Sequence, residues 1–248
     1  MQPQAYREMD RNEAEHWWYV GRRRVLGAVL STLELEPSAR ILEVGSGTGG
    51  NLELLSRFGR VTAWEPNELA RELSATKNRA LIEADRLEQS TLTPSGSFDL
   101  ICLLDVVEHL DDPVAALGEL SNQLSERGRF LITVPAYQWM WSAHDTLHEH
   151  RRRYSRALLQ SQLTDAGLTV ERLSNFNCLL FPAAMLARAV DKLRSVTGLG
   201  AGRPSVGMSM PSPLLNRLLT AVFSAEAKRV ARGGYPFGLS LLAISSRR

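Results

Sequence analysis

The chain has 248 residues, 44% of them hydrophobic and 23% charged, with a formal net charge of +2. That length suits one α/β domain with an elaboration, or two small domains; the charge excludes a protein that binds polyanions over its whole surface, though not a local basic patch. Two cysteines (Cys102 and Cys178) lie in apolar runs without a C-x-x-C pair, the N-terminus lacks a signal-peptide core and no run of about 18 apolar residues occurs, so a cytoplasmic protein without a transmembrane helix is expected.

Residues 40–135 alternate strand and helix signals. RILEV (40–44) is a short apolar run before glycines, and GNLELLSRF (50–58) has helical spacing up to Gly59. RVTAWEP (60–66) reads as a strand, NELARELSAT (67–76) as a helix that Asn67 can cap, and ALIEAD (80–85) as a third strand. SFDLICLLD (97–105) is continuously apolar, as a strand covered on both faces is. A helix is expected over 111–128, with Asp112 as cap, Pro113 in its first position and Gly128 at its end, followed by the strand RFLITVP (129–135). Repeated βα units imply right-handed crossovers and a parallel sheet.

The pattern then changes. Residues 136–154 form a long polar and aromatic loop, followed by a helix capped by Ser155 and a strand over 168–177. Apolar helical stretches at 179–194 and 213–231 flank a Gly/Pro/Ser-rich linker, and FGLSLLAISSR (237–247) reads as a closing strand. In the second stretch, Leu215, Leu218, Leu219, Val222 and Phe223 share a face suited to core or dimer packing. Its basic end (Lys228, Arg229, Arg232) permits peripheral membrane contact as the lesser reading.

The glycine-rich turn after the first strand satisfies two patterns. Gly45, Gly47 and Gly50 spell the dinucleotide G-x-G-x-x-G, whereas Glu43, Gly45, Gly47 and Gly49 spell E-x-G-x-G-x-G. Glycine is needed where the backbone turns sharply or lies against a ligand, and the following helix start offers free N–H groups. Glu65 ends the second strand about 20 residues after the first glycine, where an acid holds ribose hydroxyls of either cofactor. Glu43 faces a pyrophosphate badly but suits a positively charged cofactor, and Asp85 can accept a hydrogen bond from an adenine amino group.

Together with the FDLICLLDVVEHLDDP block, these residues resemble the class I S-adenosylmethionine-dependent methyltransferases, strongly over about residues 38–135. HWWYVGRRRVL and WSAHDTLHEHRRRY are more loosely similar to a bacterial small-molecule branch of that family. The resemblance implies a doubly wound, seven-stranded, mostly parallel sheet with an antiparallel last strand. It divides a single domain (1–248) into an N-terminal helical cap (1–36), a cofactor-binding core (37–177), a helical insertion (178–235) and a closing strand (236–248). It places Gly45, Ser46, Gly47 and Gly49 at the methionine part of the cofactor, with Glu43 organising that loop. Glu65 takes the ribose, Pro66 and Asn67 shape the adenine wall, and Asp85 and Arg86 border the adenine. Leu104 and Asp105 line the floor under the methionine, His109 lies near the methyl-transfer face, and one of Arg22, Arg23 and Arg24 binds the methionine carboxylate.

An oxygen acceptor needs a base within hydrogen-bond reach. His109, His144, Asp145, His148 and His150 qualify; His144 beside Asp145 is preferred, because a carboxylate raises a histidine's basicity. No histidine spacing reads as a metal site. The expected function is methyl transfer from S-adenosylmethionine to an oxygen of a small molecule, with three rivals: an NAD-dependent oxidoreductase, an RNA methyltransferase using Arg151–Arg153, and a binding protein without turnover. The modest net charge and the lack of an appended RNA module speak against nucleic acid as a partner. The acceptor pocket is expected from residues 16–24, 136–154 and the insertion, with Tyr137, Trp139 and Trp141 beside the basic run.

Overall fold

The computed structural model describes residues 3–75, 81–83, 96–197 and 209–248, with backbone only at 81–83 and 191–197. Two helices, α1 (Pro3–Asn12) and α2 (Trp17–Leu30), precede a sheet whose first strands are β1 (Arg40–Val44), β2 (Arg60–Trp64) and β3 (Leu81–Glu83). The one-turn α3 (Leu52–Leu55) and α4 (Glu68–Ala75) connect them; β4 (Phe98–Leu104), α5 (Pro113–Ser121) and β5 (Leu124–Pro135) continue the winding. After α6 (Ala143–Leu147), α7 (Arg156–Asp165) and β6 (Leu168–Phe176) come α8 (Phe181–Thr197), α9 (Pro213–Ala225) and α10 (Ala227–Ala231), then β7 (Ser240–Arg247).

The seven strands form one sheet in the order β3-β2-β1-β4-β5-β7-β6. β1 to β5 pair in parallel, and β7 runs antiparallel between β5 and β6. The winding reverses between β1 and β4, which opens a crevice at the carboxyl ends of these strands. Alternation along the central strands feeds two cores. Ile41, Leu100 and Cys102 face the layer of α2, α3 and α10, while Leu42, Ile101 and Leu103 face α5 and α7. Cys102 and Cys178 are buried free thiols.

Caps fix the helix starts as expected. Asn67, Asp112 and Ser155 each accept a backbone N–H, from Ala70 (3.1 Å), Ala115 (3.0 Å) and Leu158 (3.1 Å). Two helices are shorter than the periodicity predicts. α5 stops at Ser121, and Leu124 pairs with Phe98 instead of continuing the helix to Gly128. Gly128 serves that pairing, since a Cβ there would meet the Phe98 carbonyl oxygen at 2.7 Å. The helix expected over 50–58 is the four-residue α3.

The apolar face of α9 splits. Phe223 is buried against Gly21 of α2, whereas Leu214, Leu215 and Leu218 are exposed. Among the described residues, no helix is long and apolar enough to cross a membrane.

Candidate functional site

The loop after β1 lies in the crevice. Gly45, Gly47 and Gly49 adopt φ of 68°, 56° and 83°, a region in which a side chain is strained. A Cβ on Gly45 would also come within 2.8 Å of Val106 Cγ2. Glu65, 4% exposed, bridges two loops: its carboxylate accepts the N–H of Gly47 at 2.7 Å and that of Asn67 at 2.9 Å. Burial pushes its pKa up, and the two N–H bonds offset part of that rise. Glu43 lies behind the loop, off the cavity wall. It accepts Asn51 Nδ2 at 2.9 Å, and burial raises it to about 7. The N–H that a pyrophosphate would take is thus already given to Glu65, and α3 is too short to present a strong dipole.

Arg22 and Asp105 form the floor. Asp105 follows β4 with φ of 61° and meets Arg22 Nη2 at 2.6 Å; the same nitrogen donates to Thr133 Oγ1 at 3.1 Å. The guanidinium also lies 5.1 Å from the Trp18 ring centre. Arg23 donates to the Glu13 backbone carbonyl at 2.6 Å and faces the cavity. Arg24 turns away to Ser224, which narrows the choice among the three arginines to Arg22 and Arg23.

The opposite wall is the segment after β5. Ser142 and Asp145 close a capping box on α6, and Asp145 is fully buried. Its carboxylate accepts Arg153 Nε at 2.7 Å and Nη2 at 3.0 Å, and bonds His150 Nδ1 at 2.9 Å. Burial alone would raise its pKa, but the bonds from His150 and Arg153 outweigh it and hold the carboxyl well below the usual range. The partner expected for His144 is therefore given to His150. Adjacent helical residues point in different directions, so sequence neighbours on α6 do not pair. Burial lowers His144 to about 3, and His109 and His148 to about 4.

The arginine run is largely spent on this wall. Arg151 pairs with Asp111 at 2.7 Å, Arg152 donates to the Asp111 carbonyl at 3.3 Å, and Arg153 is held by Asp145. Tyr137, Trp139 and Trp141 do not line the cavity, contrary to the expectation. Tyr137 and Trp139 cluster with Phe181 outside it, and the cavity's aromatic rings come from Tyr6, Trp17, Trp18 and Tyr19. The packed sheet also brings in groups that spacing did not single out: Glu108, and Met9 and Glu13 near the N-terminus. Of the expected site residues, Gly45, Ser46, Gly47, Glu65, Pro66, Leu104, Asp105, His109 and His144 line one cavity of about 780 Å³. Gly49 and Asp145 support it from behind; Asp85 and Arg86 lie outside the described residues.

A family model described as a methyltransferase domain matches residues 15–173. The ubiquinone biosynthesis O-methyltransferase of Rhodopseudomonas palustris (strain BisA53) is 27% identical over 104 residues, 40% of this chain and 41% of that protein. Its namesake in Xanthomonas axonopodis pv. citri (strain 306) is 28% identical over 137 residues, 48% of this chain and 56% of that one. The match thus spans about half the length of these relatives. A solved Thermotoga maritima SAM-dependent methyltransferase, described as a possible histamine N-methyltransferase, aligns with a TM-score of 0.58 at 17% identity over 98% of this chain and 100% of that one. That likeness concerns the fold. The family match runs from the turn between α1 and α2 into β6, across the glycine turn and both walls of the cavity: the chain belongs to the class I S-adenosylmethionine-dependent methyltransferases.

Proposed function

We propose that the chain transfers the methyl group of S-adenosylmethionine to a hydroxyl oxygen of a small-molecule acceptor. One observation carries this reading: a single cavity joins the glycine turn, with its acid, to a wall of histidines. Five buried polar atoms on its lining have no hydrogen-bond partner among the described residues: Ser46 Oγ, Arg22 Nε, Asn177 Oδ1 and both oxygens of the Glu108 carboxylate. Unpaired buried polar groups are costly, and a ligand is what relieves them. Ser46 and Arg22 stand at the turn and floor, where the methionine end of the cofactor would lie. Glu65 retains lone pairs for ribose hydroxyls beside the two N–H bonds it accepts.

S-adenosylmethionine supplies an activated methyl group, so the chain's own residues have to position, enclose and deprotonate. Gly45–Gly47 let the backbone approach, and the ion pair with Arg22 holds the Asp105 carboxylate in place. Trp17, Trp18 and Tyr19 of α2, with Ala184 and Arg188 of α8, close the cavity from the far side. His144 is the proposed base, and Asp145 is a positioning residue that holds His150 and Arg153. Burial keeps His144 neutral, with its ring free to accept a proton, and so weak a base works better on the more acidic hydroxyls of phenols and enols than on alkanols. The O-methyltransferase names of the relatives support oxygen as the acceptor atom.

The test is transfer of labelled methyl from S-adenosylmethionine to a panel of phenols, carboxylates, amines and an RNA transcript. Label in phenolic products, abolished by His144→Ala, is the expected result. Label in amines or RNA alone overturns the acceptor assignment.

A further inference from the structure

We infer that Glu108, His109 and His150 form a binding site for one divalent transition-metal cation on the acceptor side of the cavity. One ligand atom from each of the three lies within 4.8 Å of the other two. A cation bonded at about 2.0–2.2 Å draws its ligands to about 3–3.6 Å of one another, so side-chain rotation of about an ångström closes the set.

The juxtaposition is built into the backbone. Glu108 and His109 occupy a single 3-10 turn (Val107–His109) after β4, and His150 arrives on the segment after α6. The Arg151 N–H donates to the Glu108 carbonyl at 2.9 Å, and Arg151 Nε to the His109 carbonyl at 3.0 Å, which staples the two segments together.

Glu108 is the observation that points to a ligand. It is fully buried, and neither carboxylate oxygen has a hydrogen-bond partner among the described residues. The neighbouring cations are engaged elsewhere: Arg22 with Asp105, Arg153 with Asp145 and Arg151 with Asp111. A buried carboxylate is expensive unless paired, and a cation is the partner this wall lacks.

Both histidines are oriented as ligands are, by a bond at the second ring nitrogen. Asp145 holds His150 Nδ1 at 2.9 Å, which turns Nε2 toward Glu108 Oε1 at 4.0 Å. A ring nitrogen of His109 bonds the Glu149 backbone. Two imidazoles and one carboxylate suit zinc, manganese or cobalt better than calcium. All three residues line the cavity, so the remaining coordination positions open toward the acceptor. There the cation would take the acceptor oxygen as a further ligand and weaken its O–H bond; the electron pair stays on oxygen and the proton passes to His144. This role rests on the O-methylation reading, whereas cation binding itself does not.

The experiment uses untagged full-length protein, stripped with a chelator, dialysed and titrated with cobalt(II). Visible ligand-field absorption and calorimetry are read, and S-adenosylmethionine titration of the same samples reports the fold. One equivalent of cobalt is expected, with affinity at least about tenfold weaker in Glu108→Gln and in His150→Ala and about tenfold weaker in Asp145→Asn. Absence of stoichiometric binding overturns the site. So does unchanged affinity in both Glu108→Gln and His150→Ala, or binding lost only in His144→Ala/His148→Ala. Loss of S-adenosylmethionine binding with cobalt binding retained would instead defeat the methyltransferase reading and leave the metal site standing.

Discussion

Replacing Asp145 with Asn probes the wall opposite the cofactor turn. The Asp145 side chain is fully buried and that of Arg153 is 10% exposed, so water screens this ion pair little. The carboxylate accepts two bonds from Arg153, one from the Ser142 N–H at 2.8 Å and one from the Ser142 hydroxyl at 3.0 Å, besides its contact with His150. Asn offers a single acceptor oxygen and turns an NH₂ donor toward guanidinium or backbone donors. Breaking a buried pair on one side costs about 3–5 kcal/mol. For a chain of this length that lowers the melting temperature by roughly 6–20 °C. The assay is thermal unfolding by circular dichroism at pH 7, followed by a pH series. The native carboxyl titrates below its unfolded value of about 3.9, so its contribution is complete above that value and is lost as pH falls through the folded one. The deficit of Asp145→Asn should therefore stay constant from pH 5 to pH 9, as about 5 and 9 both lie above that unfolded value. A drop of less than about 2 °C, under the shift expected for 1 kcal/mol, would refute the claim that this pair organises the wall.

Gly45→Ala places a Cβ within 2.8 Å of Val106 at a φ of 68°. Gly167→Ala, at φ of 79° with nothing within 4 Å, carries the backbone strain alone, about 1–2 kcal/mol. The Gly45 variant should unfold at lower denaturant than the Gly167 variant; equal midpoints would show that the turn yields to Val106 freely. Glu43→Gln tests the buried acid. Burial raises the folded pKa to about 7, above an unfolded value of about 4.3, so the stability linked to its protonation is lost as pH rises through about 7. Relative to the parent, the Gln variant should gain up to about 2 kcal/mol between pH 5.5 and pH 8.5, as denaturant midpoints at about those two values will read; a constant difference would mean that Glu43 is ionised throughout.

The glycine turn and its acid, the proposed cofactor half of the site, are readable in sequence because their determinants are local. Each glycine of the turn has a backbone requirement, and Glu65 sits at a strand end whose position follows from the first strand. The parallel pairing of β1 to β5 follows from βα repetition, whereas the antiparallel direction of the closing strand is what the family resemblance implies. The pattern over 111–128 extends the helix too far because residues 122–127 are helix-compatible; pairing of Leu124 with Phe98 overrides that weak local preference. The acceptor half is non-local. Asp145 beside His144 looks like a pair, yet α6 directs them apart and the turn after it brings His150 back to Asp145. Glu108 was invisible as a site residue because its signal is an unpaired carboxylate, which exists only once the surrounding wall is folded. Composition points Tyr137 and Trp139 toward the cavity, but they pack on Phe181 outside it.

The most direct measurement for the central claim is calorimetric titration of the purified chain with S-adenosylmethionine, S-adenosylhomocysteine and NAD, repeated on Glu65→Ala. One equivalent of binding is expected for the first two, no signal for NAD, and at least about tenfold weaker binding in the variant, since a charged or doubly bonded carboxylate contributes more than one ordinary hydrogen bond. NAD binding without binding of either adenosyl compound, or unchanged affinity in Glu65→Ala, would contradict it.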